Sequence, residues 1–261
     1  MKKVMKSMVL GSLAAAMLAS GAAAANFTSS ADVLNELGLF QGSESGYELD
    51  RAPDRAEAAT MLVRLLGKEE AAKTYYAANA DAFPFTDMDN GYDWAKPYVA
   101  WLYSEGLTSG ATATTFEPGN PCTAQQYTTF LMRALGYSDA AGGDFTYDNA
   151  IAFATEKGVV DAYNMDADNF LRDDVVAMSY TALSAVPKSG ETDLLTKLVN
   201  EGAIEAETAA PVQQTFTALR NFNKAYEAVA ATTSADATAD FTMNMSVADA
   251  TVDASGKFDV Q

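Results

Sequence analysis

The chain has 261 residues and an acidic balance, 17 Lys and Arg against 35 Asp and Glu, for a net charge of −18. That sign repels nucleic acid and anionic membranes, so neither is expected as a partner. With no His in the sequence, Ser-His-Asp and Cys-His catalysis and the usual His-containing zinc sites are excluded. The expectation is a non-enzymatic protein without catalytic residues, metal or cofactor. Cys122 is the single Cys, so no intramolecular disulfide can form.

The N-terminus reads as a secretory signal peptide over residues 1–25. Lys2, Lys3 and Lys6 form a positive start, residues 8–18 a short apolar core, and Ala22 to Ala25 offer small residues for cleavage. The apolar stretch is too short and too Ala-rich for a membrane span. No Cys sits at the cleavage site to carry a lipid. The mature chain is therefore expected to be secreted, with no membrane insertion after cleavage, and more acidic still.

From there the chain repeats itself. Leu37-Gly38-Leu39-Phe40-Gln41-Gly42 leads through a polar turn to Pro53-Asp54-Arg55-Ala56-Glu57 and an apolar segment ending Leu65-Leu66-Gly67. Glu105-Gly106-Leu107-Thr108-Ser109-Gly110 leads likewise to Pro121-Cys122-Thr123-Ala124-Gln125-Gln126 and an end at Leu135-Gly136. A worn third copy runs from Lys157-Gly158-Val159 to Leu171-Arg172-Asp173-Asp174 and Ala182-Leu183. A unit this small must bury its apolar face against its neighbours.

Each unit predicts helix, Gly-punctuated loop, helix. In the second helix Ala58, Met61, Leu62, Leu65 and Leu66 fall at i, i+3, i+4, i+7 and i+8; Tyr127, Phe130, Leu131, Ala134 and Leu135 repeat the pattern. Val175, Met178, Ser179, Ala182 and Leu183 do so with one polar lapse. Asp54 with Glu57, and Thr123 with Gln126, have capping-box spacing; Leu171 breaks it in the third copy. Gly38, Gly106 and Gly158 are placed to close the first helices. Val33 and Leu34 then align with Trp101 and Leu102, and with Phe153 and Ala154. The fold class is all-α in the main domain, three helix-loop-helix units packed around each other.

The second unit carries a family pattern: Phe85-Thr86-Asp87, Trp94-Ala95, Tyr98-Val99, Leu102, Gly106, Gly110, Phe116-Glu117-Pro118 and Leu135-Gly136. With Arg55-Ala56-Glu57 in the first unit, this resembles the S-layer homology (SLH) repeat. The resemblance covers repeats at 27–70, 83–140 and 144–210. It implies a pseudo-threefold bundle on a bacterial surface, at the cell wall or S-layer. Such domains bind secondary cell-wall polysaccharide, often through a terminal pyruvylated sugar, and so anchor their protein non-covalently. A pyruvate ketal presents a carboxylate, which favours an Arg fork at a helix start.

Carried over by position, the implied polysaccharide-binding residues are Arg55, Glu57, Asp87, Trp94 and Arg172. Copy two has Ala124 where the others have Arg. Each also has a structural reading. Arg55 and Arg172 could pair with nearby acids, among them Asp173 and Asp174. Trp94 and Trp101 fit a core, and Asp87 fits a cap.

Residues 87–93 and the acids Asp161, Asp166 and Asp168 do not complete an EF-hand, because Tyr92, Tyr98 and Arg172 fall where that loop needs Gly or Glu. Cys122, beside Pro121, reads as a packed small residue. Beyond Pro211, which is expected to close the third unit, residues 213–231 predict a helix. Phe241, Met243, Met245 and Val247 predict a strand, and 251–253 with 258–260 predict a turn into another. Residues 213–261 thus read as the start of a helix-plus-strand domain, truncated here. Two alternatives stay beside anchoring: a secreted lipid carrier or enzyme whose effector begins near residue 213, and self-assembly of the repeats into a surface layer.

Overall fold

A computed structural model describes residues 27–160, 164–232, 250–252 and 258–260. The chain divides into two units, Met1–Thr208 and Ala209–Gln261. The signal segment 1–25 lies outside the described residues.

In the first unit the three apolar periodic segments fold as α2 (Arg55–Leu65), α5 (Ala124–Ala134) and α7 (Arg172–Leu183). These helices pack against one another at the centre. Their stripes supply the core, with Leu62, Leu65, Leu131, Met178 and Leu183 almost fully buried. The first helices of the units are α1 (Thr28–Glu36), α4 (Lys96–Ser104) and α6 (Ala150–Glu156). Each packs on the central helix of the preceding unit, α4 on α2 and α6 on α5, while α1 closes the ring on α7. Gly38, Gly106 and Gly158 follow these helices at φ of 74°, 70° and 73°, a region that a side chain would strain.

The central helix starts are built as their sequences dictate. Asp54 accepts the Glu57 N–H at 2.7 Å while Glu57 accepts the Asp54 N–H at 2.9 Å. Thr123 and Gln126 make the same exchange at 3.2 and 3.1 Å. At Leu171 only the return half exists, its N–H donating to Asp174 at 2.7 Å.

The remaining orphan N–H groups are satisfied by the next repeat, which ties the ring together. Arg55 and Ala56 donate to the carbonyls of Asn120 and Pro118 at 3.0 and 3.1 Å; Arg172 and Asp173 donate to those of Arg51 and Leu49 at 2.9 and 3.1 Å. Among the described residues no such bond starts at α5. There the buried Tyr127 and Ser179 hydroxyls meet at 2.7 Å instead, which explains the polar lapse in the third copy.

Two further helices were not evident in the sequence pattern: α3 (Glu69–Asn79), packed on α4, and α8 (Leu194–Asn200), packed on α7. Helix α9 (Ala206–Thr232) begins before the expected start and carries Pro211 inside it. Pro211 therefore does not close the third unit. It forfeits one helical hydrogen bond in the second turn without ending the helix. Described alone, the second unit also holds β1 (Ala250–Val252) paired antiparallel with β2 (Phe258–Val260), Thr251 opposite Asp259. The strand expected over 241–247 lies outside the described residues.

Candidate polysaccharide-binding cleft

A cavity of about 190 Å³ opens between the loop of the first repeat, α2, the entry to α4 and the start of α7. The loop contributes Gln41, Gly42, Ser43, Glu48 and Arg51; α2 contributes Glu57, Met61 and Arg64. Trp94 stands in the three-residue turn that leads into α4, and Arg172 enters from α7. The walls therefore come from all three repeats.

Arg172 is held rigidly. It is 5% exposed, its Nε–H donates to the Tyr47 carbonyl at 3.0 Å, and its Nη1 lies 3.4 Å from Glu57. The guanidinium also lies over the Phe40 ring at 5.9 Å. Its Nη2 has no hydrogen-bond partner among the described residues, which leaves one donor edge for an incoming acceptor. Burial lowers the pKa of this guanidinium, against the pull of Glu57.

Glu57 is engaged on every side. Besides its capping-box bond, it takes a fork from Arg51, with Nη1 at 2.7 Å and Nη2 at 2.5 Å. Burial works to raise its pKa, but the Arg51 fork and the Asp54 N–H hold it below the usual carboxylate value. Arg51 also bonds Glu48 at 3.1 Å and holds that carboxyl down at about 2. Arg64 pairs with Glu69 at 2.8 Å. Trp94 is 48% exposed, so its ring lies at the rim and not in the core.

Three of the residues singled out by resemblance, Glu57, Trp94 and Arg172, thus come together here. Arg55 does not line the cleft. It is 5% exposed, donates its Nε–H to the Phe116 carbonyl at 2.9 Å, and lies over the Phe116 ring at 4.9 Å. It does for the first and second repeats what Arg172 does for the third and first. Asp87 also lies elsewhere. Its carboxylate accepts the N–H groups of Phe116 and Glu117 at 2.9 and 2.7 Å and pins that turn. Cys122 is buried, which pushes its thiol up to about 12 and leaves it unreactive.

Sequence reasoning missed Arg51 and Arg64. Their place in a site follows from tertiary neighbours, and no local motif marks them. Among the described residues no cluster of acidic or Cys side chains is arranged to hold a metal ion, and no helix is long and apolar enough to cross a membrane.

Residues 84–128, which contain Asp87, Trp94 and the loop that receives Arg55, match the S-layer homology domain model. The chain carries an SLH domain. It is 31% identical over 196 residues to the Middle cell wall protein of Brevibacillus brevis, covering 70% of this chain and 18% of that one. It is 30% identical over 154 residues to the Surface layer protein of Brevibacillus choshinensis, covering 55% of this chain and 13% of the relative. An Endoglucanase of a Bacillus species is 30% identical over 116 residues, 40% of this chain and 12% of that enzyme. The chain thus spans less than a fifth of the length of these relatives, whose names place one in a cell wall and one in a surface layer. The SLH match falls on the second repeat, and the repeats on either side share its helix-loop-helix geometry.

Proposed function

We propose that this chain anchors its protein non-covalently to the bacterial cell wall, by binding an anionic group of the secondary cell-wall polysaccharide in the cleft at Arg172. The observation that carries the reading is the Nη2 edge of a buried arginine, without a hydrogen-bond partner among the described residues, beside an exposed Trp94. A carboxylate on a sugar, as in a terminal pyruvate ketal, would take the guanidinium edge while the sugar face stacks on the indole. A small cavity suits one terminal residue of a glycan better than an internal stretch of chain. The protein acts as a binding module at the cell surface, without catalysis, metal or cofactor.

The test is sedimentation of the full chain with purified wall sacculi, before and after acid removal of the secondary polymer. Pelleting that is lost on stripping supports the reading. Equal pelleting with stripped sacculi, or none with intact ones, would sink it. A second reading draws on the length of the relatives: the anchor carries a separate effector, enzymatic in one of them by its name. That effector, beginning near residue 213, would be tested by assaying a longer chain for glucan cleavage with the SLH unit removed.

A further inference from the structure

We propose that Arg51 is a positioning residue that keeps the anion site at Arg172 open by neutralising Glu57; the inference rests on the cleft reading above. Glu57 stands with Oε1 3.4 Å from Arg172 Nη1, close enough to act as a built-in competitor for any external anion. It cannot swing away, because its other oxygen is committed to the Asp54 N–H at 2.9 Å at the first turn of α2. Arg51 covers both oxygens with its fork, at 2.7 and 2.5 Å. With Arg51 present, two guanidiniums balance the two carboxylates of Glu57 and Glu48, so Glu57 is already neutralised and Arg172 keeps its attraction for a ligand. Without it, Glu57 cancels Arg172, and Glu48, now also without its partner, turns the local balance negative.

The second repeat supplies an independent comparison. Asn120 stands where Arg51 does, four residues before its central helix, and its carbonyl accepts the Arg55 N–H as that of Arg51 accepts the Arg172 N–H. Gln126 stands where Glu57 does, as the return half of the capping box. Both members of the pair are neutral there, so a Gln at this helix position keeps the cap without a charge. The Arg51 backbone bond to Arg172 does not depend on the Arg51 side chain, which makes the side chain separable from the fold.

The experiment compares pelleting isotherms of the full chain on sacculi that carry the secondary polymer, for wild type, Arg51→Ala, Arg51→Lys and Arg51→Ala with Glu57→Gln. Arg51→Ala is expected to bind about tenfold more weakly. Arg51→Lys, which keeps the charge, stays near wild type, and the double variant regains most of the loss. Recovery by removing a second charged group is not what a ligand-contacting or merely structural arginine would show. Arg51→Ala binding like wild type would overturn the proposal. So would a double variant as weak as Arg51→Ala with an unchanged urea midpoint, since Arg51 would then touch the ligand directly. Wild type that pellets equally with stripped sacculi defeats the anchoring reading itself, and the inference with it.

Discussion

Arg172 donates its Nε–H to the carbonyl of Tyr47, 125 positions earlier in the chain, at 3.0 Å. The bond joins the last repeat to the first, and Arg55 makes its counterpart to Phe116 between the first and second. Arginine at these helix starts is therefore an inter-repeat clamp before it is anything else. Only the Arg172 clamp also faces the cavity.

Truncating either clamp strands a carbonyl and removes a charge-assisted hydrogen bond, so Arg55→Ala and Arg172→Ala should each lose about 2 kcal/mol of unfolding free energy. Urea denaturation of the full chain checks this. Lys should not restore either, because a single ammonium cannot reproduce the guanidinium geometry.

The capping boxes are smaller terms. Asp54→Ala removes the side-chain acceptor for the Glu57 N–H and should cost about 1 kcal/mol, and Thr123→Ala a similar amount. Both are read by thermal unfolding. Little change at Asp54 would mean that the bonds from Arg55 and Ala56 to the second repeat already fix the helix start.

Acid response should turn on Asp173. Its pKa is pushed up to about 6 by burial, against the Phe27 N–H that donates to it at 2.8 Å. Since its folded value lies above the ordinary carboxylate value of 3.8, the native state binds the extra proton. That contribution is complete at low pH and is lost as pH rises through 6. Glu69 works in the opposite direction: burial tends to raise it, but Arg64, Tyr98 and Lys73 hold it at about 2. Its contribution is present above 4.5 and is lost as pH falls through 2. Stability measured against pH should therefore rise from neutrality toward about 5 and decline in stronger acid. Asp173→Asn should flatten the first part of that curve.

Trp94 should separate binding from folding. Its ring is half exposed, so Trp94→Ala should change stability by no more than about 0.5 kcal/mol. Wall binding should fall about tenfold. Wild-type tryptophan emission should also shift on adding wall polymer, a signal that the variant loses.

The ring of repeats was legible because one residue pattern recurs at each central helix, and burial follows it down to Leu65, Leu135 and Leu183. Ser179 looked like a lapse only because its partner, Tyr127, belongs to another repeat. Helix α3 buries little besides Ala72, so it gives almost no stripe to read. Its signal was electrostatic: Glu69 and Glu70 in the first turn and the Glu69–Lys73 pair one turn apart. The cleft was the least legible feature. Resemblance marked Arg55 and Arg172 alike, and only tertiary placement directs one into a cavity and the other under a loop. Arg51 carries no motif, and its role depends on Glu57 and Arg172 meeting in space.

The central claim is that wall polymer is bound at the cleft of Arg172 and Trp94, away from Arg55. The most direct measurement is the affinity of the full chain for polymer-bearing sacculi, wild type against Trp94→Ala and Arg55→Ala, at a temperature where all three are folded. The account predicts weakened binding for Trp94→Ala and near wild-type binding for Arg55→Ala. Loss of binding with Arg55→Ala and none with Trp94→Ala would contradict it and move the site to the junction of the first and second repeats.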